Sequence, residues 1–278
     1  MNNKLIRRDG TDSRKIFDNR TLDKDYPTLK PVLREGMCVL DVGCGTGAIT
    51  KDIAKTIGPT GKIIGIDNTE RFILSGTENY GDVKNLRLIH VDLFEFEPDE
   101  KFDLIISART LQWLSNVPEA LLKMKSLLKS NGILSILDYN HTKIEWCPTP
   151  PASMRDFYNT FLKWRSDAGM NNQIADDLLV LLEQAGFKEI EQINSDEHYE
   201  KGDSDFQFNV GIWSKVANLR QMVEEGYLTD EDRLKAIAEY NRWIENEAIS
   251  MTMKLNDVRG RVPGPPSLFP DHNLREDI

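Results

Sequence analysis

"VLDVGCGTGAIT", residues 39–50, is the stretch that decides the fold of this chain. A short apolar run reaches Asp41, and three glycines follow it at Gly43, Gly45 and Gly47. Glycines let a backbone approach a ligand closely and adopt dihedral angles that other residues disfavour. In an open parallel sheet, ligands bind at the carboxyl ends of the strands. A strand that leads into a glycine loop and then into a helical pattern therefore indicates a nucleotide-binding loop.

The first strand is one of five apolar runs that helical patterns separate. The other four are "KIIGID" (62–67), "LRLIHVD" (86–92), "FDLIIS" (102–107) and "GILSILDY" (132–139). Each run is nearly continuous in apolar character, which is typical of strands covered by helices on both faces. The helix before the last run is predicted to begin near Pro118 and to close at Asn131–Gly132. Alternating strands and helices predict an α/β fold with a doubly wound parallel sheet.

The strand–helix alternation breaks after residue 139 and returns later in the chain. A proline-rich turn and an aromatic helix follow the fifth strand, and residues 196–246 are predicted to be mostly helical. "QIADDLLVLLEQAGFKEIEQIN" resumes the helix-then-strand pattern, and residues 248–260 are a candidate last strand. We therefore predict a single domain, 1–278, with its core at about 30–140, 174–195 and 248–260 and with helical cap insertions at about 141–173 and 196–247.

Composition excludes several classes of protein. The chain has 278 residues and a formal net charge of −10, which argues against the basic face that nucleic-acid binding usually needs. Its three cysteines fit neither a zinc pattern nor a disulfide framework and indicate a reducing compartment. No apolar segment has the length of a signal-peptide core near the start or of a membrane span elsewhere. We expect a soluble cytoplasmic protein without nucleic-acid or membrane partners, and the oligomeric state is left open.

The glycine loop is compatible with two kinds of nucleotide. Gly43, Gly45 and Ala48 satisfy the dinucleotide fingerprint G-x-G-x-x-A, which favours an NAD(P)-dependent oxidoreductase. Asp67, about twenty residues after the loop, would hold ribose hydroxyls in either case. Asp41 instead favours a ligand without a pyrophosphate, because a pyrophosphate at a helix N-terminus prefers backbone N–H groups without a carboxylate close by. A ligand with a cationic amino group and no phosphate tolerates Asp41.

The loop "VLDVGCGTG" resembles the first motif of class I S-adenosylmethionine-dependent methyltransferases. Four further stretches resemble the later motifs of this family, in the same order, over roughly residues 35–140: "GIDNTERFI", "HVDLFEFE", "FDLIISARTLQWL" and "LLKMKSLLKSNGILSILDY". "LQWL" and "LLEQAGF" are most similar to the small-molecule enzymes of the ubiquinone-biosynthesis and trans-aconitate type. The resemblance implies a Rossmann-like, mostly parallel seven-stranded sheet and methyl transfer from S-adenosyl-L-methionine to a small-molecule acceptor. A non-catalytic S-adenosylmethionine-binding protein is a further alternative.

The resemblance assigns residues to the adenosyl end of the cofactor. Asp67 is implied to accept hydrogen bonds from both ribose hydroxyls. Asp92 is implied to accept one from the adenine amino group, and Leu93 to offer its backbone N–H to the ring. Asn68 departs from the family pattern, because an apolar residue often packs on the adenine there. An asparagine can still lie against the ring, so Asn68 is kept among the predicted cofactor contacts.

The same resemblance assigns residues to the methionine end of the cofactor. Gly43 and Gly45 would let the backbone approach the methionine portion. Ser107 and Ala108, at the end of the fourth strand, would offer carbonyl oxygens to the ammonium group. Asp41 completes this set as a carboxylate that a cationic ligand tolerates.

Four residues are candidates for handling the acceptor. His141 follows the fifth strand, where it is either a general base with a suitable pKa or a polar loop residue. Tyr139 either orients the acceptor or packs at the end of the sheet. Trp113 either lines the pocket or packs beneath a cap helix, and Arg109 meets either an acidic acceptor group or a carboxylate of the cap. No carboxylate cluster with metal-ligand spacing follows the fourth and fifth strands, so no metal is expected.

Overall fold

Eight strands form a single sheet in the computed structural model, which describes residues 19–264. They are β1 (Cys38–Val42), β2 (Lys62–Asp67), β3 (Leu86–His90), β4 (Phe102–Ala108), β5 (Leu128–Cys147), β6 (Lys188–Asn194), β7 (Glu197–Glu200) and β8 (Ser250–Arg261). Their order is β3-β2-β1-β4-β5-β8-β6, and β7 pairs with β8. The first five strands of this order are parallel, and β8 runs antiparallel to its neighbours. The predicted mostly parallel, doubly wound α/β sheet is confirmed, with eight strands where seven were expected.

Ten α-helices accompany the sheet within residues 19–264. They are α1 (Leu22–Asp25), α2 (Ala48–Thr56), α3 (Glu70–Tyr80), α4 (Val117–Leu127), α5 (Ala152–Asp167), α6 (Ile174–Gln184), α7 (Phe206–Val210), α8 (Ile212–Ala217), α9 (Gln221–Glu224) and α10 (Asp230–Asn246). Two 3₁₀-helices span Pro27–Val32 and Leu111–Trp113. In the part of the chain that the structure describes, no helix combines the length and the apolar character needed to cross a bilayer.

The central strands β1, β2 and β4 are continuously apolar because both faces of the sheet are covered there, whereas β3, β6 and β7 are partly exposed. Val39 and Leu40 are neighbours in β1, yet they pack into different apolar clusters, one on each face. Ile106 and Ile105 of β4 divide in the same way. The first cluster also contains residues of α2, and the second contains residues of α4 and α6. β1 lies between β2 and β4, where the strand order reverses, and this is the point at which open sheets of this kind bind ligands.

α4 ends earlier than the sequence predicted. It closes at Leu127, and β5 begins at Leu128 instead of near Gly132. Leu128 pairs with Phe102 of β4, and the register then shifts before the regular ladder begins. Asn131 has a φ of 63°, so the predicted helix stop lies in this irregular part of β5. Pairing with β4 thus prevails over the local helix-stop signal.

β5 and β8 are the longest strands of the sheet, with 20 and 12 residues. After a bulge, β5 extends to Cys147 and pairs with Ser250–Thr252 of β8, inside the first segment predicted as a cap insertion. β7 pairs with the same half of β8, inside the second such segment. α5 and α8 pack against α10 beside this ribbon, and the rings of Tyr158 and Trp213 meet edge to face with centroids 4.6 Å apart. β5 therefore continues past the boundary predicted at residue 140, while the division into core and cap remains a prediction.

Candidate functional site

The glycine loop leaves bare backbone at the carboxyl end of β1. Gly43 has a φ of 75°, and Gly47, the N-cap of α2, has a φ of 79°. A side chain at Gly43 would also collide with Thr110, which follows β4. The N–H of Gly43 donates to the carbonyl of Ile66 at 2.8 Å, which ties the loop to β2. This close approach of β1, β2 and β4 requires glycine at the start of the loop.

Asp67 fixes the other side of the loop from the end of β2. Its Oδ2 accepts the backbone N–H of Gly45 at 3.0 Å, and its Oδ1 accepts that of Thr69 at 2.8 Å. The residue is 8% exposed, so these bonds hold the carboxylate in one orientation. Each carboxylate oxygen can accept two hydrogen bonds, so each keeps one site for a ligand hydroxyl.

Asp41 is a buried carboxylate beside Asp67. Its Oδ2 accepts the hydroxyl of Thr50 at 2.6 Å. Burial raises the pKa of Asp41 to about 7, and the charge of Asp67 adds to this effect. A ligand cation placed nearby would lower that pKa again, whereas a pyrophosphate would add a further negative charge. The carboxylate therefore fits a cationic ligand better than a phosphorylated one.

The loop cleft is the cavity of about 50 Å³ at the glycine loop and the ends of β2 and β4. The predicted cofactor contacts that line it are Asp41, Gly43, Gly45, Asp67 and Ala108. Two residues predicted to handle the acceptor, Arg109 and Trp113, also line it. The cleft thus combines two carboxylates and bare backbone with side chains from the acceptor side.

Four predicted cofactor contacts do not line the loop cleft. Asn68 has an exposed side chain directly after β2. Asp92 accepts the backbone N–H of Phe94 at 2.9 Å, and Leu93 is buried in the apolar core. Ser107 is buried, and its hydroxyl donates to the carbonyl of Val42 at 3.0 Å. Their roles at the cofactor remain predictions.

A large cavity of about 1030 Å³ adjoins the loop cleft. Arg20, Arg109 and Trp113 line both cavities and so form the wall that the two share. The large cavity has an apolar side and a polar side. Its apolar lining includes Leu137, Phe161, Trp213, Met251 and Met253, and its polar lining includes Tyr139, His141 and Glu197. A ligand in the loop cleft and a partly apolar molecule in the large cavity would therefore be neighbours.

A buried polar network holds Arg109 in the shared wall. Its guanidinium forms an ion pair with Glu197, donates to the carbonyl of Asp25 at 2.9 Å and donates to the hydroxyl of Tyr139 at 3.0 Å. The hydroxyls of Tyr139 and Tyr199 both donate to Glu197, at 3.1 and 2.9 Å. Burial alone would raise the pKa of Glu197, but Arg109 lowers it below its usual value. Arg109 therefore meets a carboxylate from a segment predicted as cap.

His141 and Tyr139 lie side by side on β5, with ring centroids 5.3 Å apart. His141 is 4% exposed, and its Nε2 lies 2.6 Å from Oε1 of Gln112. Burial, and then the charge of Arg165, lowers the pKa of His141 well below 6.5. Burial, and then the charge of Glu197, raises the pKa of Tyr139 above its usual value. The site thus presents a neutral imidazole and a neutral phenol at neutral pH.

Sequence reasoning missed three residues that complete this site: Gln112, Arg165 and Glu197. Gln112 interrupts the apolar residues of "TLQWL", and Arg165 lies on the buried face of α5. A polar residue in an apolar run and a cation on an apolar helix face are signals that could have identified these two. Glu197 lies in a charged segment and carries no such signal.

Comparisons with known proteins agree on one family. The family model described as "Methyltransferase domain" matches residues 33–218. A demethylmenaquinone methyltransferase of Staphylococcus aureus is 30% identical over 178 residues, which cover 56% of this chain and 69% of that protein.

Solved structures with the same fold include a SAM-dependent methyltransferase from Aquifex aeolicus, at 19% identity and a TM-score of 0.52 over 90% of this chain and 97% of that one. Another is phosphoethanolamine N-methyltransferase 2 of Haemonchus contortus in complex with S-adenosyl-L-methionine, at 16% identity and a TM-score of 0.53 over 94% of this chain and 54% of that one. At these identities the structural similarity establishes the fold alone.

Proposed function

This chain belongs to the methyltransferase family, and on that premise we propose that it transfers a methyl group from S-adenosyl-L-methionine at the loop cleft to a small-molecule acceptor in the large cavity. The observation that carries the proposal is the wall of Arg20, Arg109 and Trp113 that the two cavities share. Direct transfer requires the donor and the acceptor to be in contact, and positioning them supplies much of the rate.

The carboxylates and bare backbone of the loop cleft match polar groups of the cofactor, and the cleft of about 50 Å³ is large enough for only a part of that molecule. When bound, S-adenosyl-L-methionine supplies a methyl group on a positively charged sulfur. Asp67 would accept hydrogen bonds from the ribose hydroxyls, because each of its oxygens has one acceptor site left. Asp41 would stabilise the cationic part of the cofactor, and its raised pKa supports this role. The same pKa argues against the pyrophosphate of the NAD(P)-dependent alternative.

The remaining cofactor contacts are proposed from the family resemblance. Asp92, Leu93 and Asn68 follow β2 and β3, whose carboxyl ends lie at the same edge of the sheet as Asp67. They would contact the adenine. Ser107 and Ala108, the last two residues of β4, would offer carbonyl oxygens to the ammonium group. Gly43 and Gly45 would expose their backbone to the methionine portion.

The large cavity supports an acceptor with an apolar body and a polar reacting end. Trp113 and the apolar lining would hold the body. Tyr139, which keeps its proton, would orient the polar end, and His141 would accept a proton from it. Arg109, held by Glu197, would keep the shared wall in place. A volume of about 1030 Å³ favours an enzyme over a non-catalytic cofactor-binding protein.

Calorimetry with S-adenosyl-L-methionine, S-adenosylhomocysteine and NAD tests the cofactor. We expect the two adenosyl compounds to bind and NAD not to bind. Tight NAD binding without binding of either adenosyl compound would reverse the proposal. Donor carrying a labelled methyl group, offered with panels of phenols, small acids and quinone precursors, then tests the transfer itself.

We further propose a cytoplasmic location without nucleic-acid or membrane partners. The three cysteines of the chain are odd in number and fit no disulfide framework, which supports a reducing compartment. The net charge of −10 opposes binding to a phosphate backbone. Cell fractionation tests the location and the absence of a membrane partner, and gel-shift assays test nucleic-acid binding.

A further inference from the structure

A buried polar cluster lies around His141, and none of its members lines the loop cleft. It consists of Gln112 on the 3₁₀-helix after β4, Arg165 on α5 and His141 on β5, with exposures of 2%, 0% and 4%. Asn172 completes it, because its side-chain oxygen accepts from Arg165 Nε and its backbone carbonyl accepts the N–H of His141, both at 2.8 Å. Gln112 thus contacts the imidazole ring directly, and Arg165 and Asn172 hold the groups around it.

The contacts of Gln112 determine which way its amide points. Its Nε2 donates to the carbonyl of Arg109 at 3.2 Å, and its Oε1 accepts from Nη1 of Arg165 at 3.2 Å. Its backbone carbonyl accepts from Nη2 of Arg165 at 2.8 Å. Its backbone N–H donates to Asp138 at 3.1 Å. A guanidinium can only donate hydrogen bonds, so the atom that faces Arg165 must be the amide oxygen.

This orientation determines the tautomer of His141. Nε2 of His141 lies 2.6 Å from the amide oxygen of Gln112, which can only accept, so Nε2 must carry the proton. The low pKa of His141 keeps the ring neutral, which leaves Nδ1 with a bare lone pair. Among residues 19–264, no group forms a hydrogen bond with the buried Nδ1. A buried acceptor without a donor costs free energy, so the atom is suited to a donor on a ligand.

We propose that Gln112, held by Arg165, is a positioning residue that fixes His141 in its Nε2–H tautomer, so that Nδ1 accepts the proton of a hydroxyl group on the methyl acceptor. The inference rests on the function proposed above. The acceptor oxygen forms a bond to the methyl carbon while the carbon–sulfur bond of the donor breaks and its electron pair stays on sulfur. The hydroxyl proton moves to Nδ1 and later to water. Nothing is oxidised or reduced.

The charges around His141 favour a hydroxyl over a protonated amine. Arg165 is the charged group that shifts the pKa of His141, and no carboxylate in the described chain is hydrogen-bonded to the ring. Arg109 lines the same cavity, and its Nη1 has no hydrogen-bond partner among residues 19–264. Glu197 and Tyr139 occupy the other side of that guanidinium. Arg165 would oppose an ammonium group placed at Nδ1, whereas Nη1 of Arg109, whose charge Glu197 balances, could donate to the oxygen of a hydroxyl.

Nitrogen NMR of histidine-labelled protein in its S-adenosylhomocysteine complex tests the tautomer. His141→Gln identifies the resonances. We expect a protonated Nε2 and an unprotonated Nδ1 at neutral pH in the wild type, and a mixture of tautomers in Gln112→Leu. Gln112→Glu keeps an acceptor towards Nε2, so it should retain the tautomer and raise the pKa of His141. A protonated Nδ1 in the wild type, or an unchanged tautomer in Gln112→Leu, would overturn the positioning role.

Tyr158→Phe is the matched control, because it removes a hydrogen bond of 2.7 Å to the backbone carbonyl of His141 and leaves the ring contacts intact. It should keep the wild-type tautomer. If it also produces a mixture, the effect is one of packing and the proposal fails. Gln112→Leu should bind S-adenosylhomocysteine as the wild type does. If the wild type does not bind S-adenosylhomocysteine, the proposed function is refuted. That outcome differs from a failure of the positioning role, which the tautomer of His141 reports.

Two naphthalene compounds test the preference for a hydroxyl. Naphthol and aminomethylnaphthalene share an apolar body, and only the second is a cation at neutral pH. We expect naphthol to shift the Nδ1 resonance of His141 in the S-adenosylhomocysteine complex and the amine to leave it unchanged. A shift with the amine alone, or with neither compound, would overturn the hydroxyl assignment.

Discussion

Asp67→Ala removes the carboxylate at the centre of the loop cleft. In the proposed complex, the two oxygens of Asp67 accept hydrogen bonds from the two ribose hydroxyls. The variant leaves both hydroxyls unpaired in a nearly buried site, since Asp67 is only 8% exposed. A hydrogen bond to a charged group contributes about 1.5–3 kcal/mol, so the lower value for each hydroxyl gives about 3 kcal/mol, or a roughly 100-fold weaker affinity. The backbone N–H groups of Gly45 and Thr69 also lose their acceptor, which lowers the free energy of unfolding by about 1–3 kcal/mol.

Calorimetric titration with S-adenosyl-L-methionine measures this loss, and denaturant unfolding measures the structural cost. Asp103→Asn is the matched control, because Asp103 also accepts a backbone N–H, that of Cys38 at 2.8 Å, at the opposite end of β1. We expect its donor affinity to be unchanged and that of Asp67→Asn to be intermediate. A folded Asp67→Ala protein with the wild-type dissociation constant would show that the ribose is bound elsewhere.

Three further changes test the electrostatics of the site. Asp41→Asn should raise the free energy of unfolding of the ligand-free protein by about 4 kcal/mol above pH 7 and by less near pH 5. The reason is that Asp41 has a folded-state pKa of about 7, so its ionisation opposes folding as pH rises. A difference between variant and wild type that does not change with pH in denaturant unfolding would contradict this. His141→Gln should lower turnover and leave the donor affinity measured by calorimetry unchanged. With saturating donor, wild-type turnover should stay flat from about pH 8 to about pH 6.5, because burial keeps the imidazole neutral; labelled-methyl assays measure turnover, and full turnover of the variant would dismiss His141 as the base. Glu197→Gln should lower the free energy of unfolding, measured by urea denaturation, by about 3 kcal/mol, because it leaves the buried Arg109 without its counter-charge. Asp23→Asn is the control, because Asp23 belongs to an exposed ion pair and its loss should have no measurable effect. Equal losses of stability in the two variants would refute the reasoning.

Most of the sheet could be predicted from local pattern. β1, β2 and β4 are mostly buried, with residues packed on both faces of the sheet, so each one is a continuous apolar run in the sequence, whereas the edge strand β3 is only partly buried. β7 could not be predicted in this way, because "EHYE" (Glu197–Glu200) is short and half exposed and becomes a strand only by pairing with β8. The early end of α4 has the same origin, since Leu128 pairs with Phe102 across the sheet.

The sequence by itself indicated which residues meet at the glycine loop, where the cofactor is proposed to bind. Asp41, Asp67 and the glycine loop each follow or end a strand, and parallel strands bring their carboxyl ends to one edge, so a local pattern is enough to assemble them. Only the tertiary structure decided which polar groups meet at the large cavity, because those contacts join distant residues. Arg109 meets Glu197 across 88 positions, and His141 meets Gln112 across 29. These pairings arise where elements distant in the chain pack together, and no local periodicity encodes which polar groups will meet there.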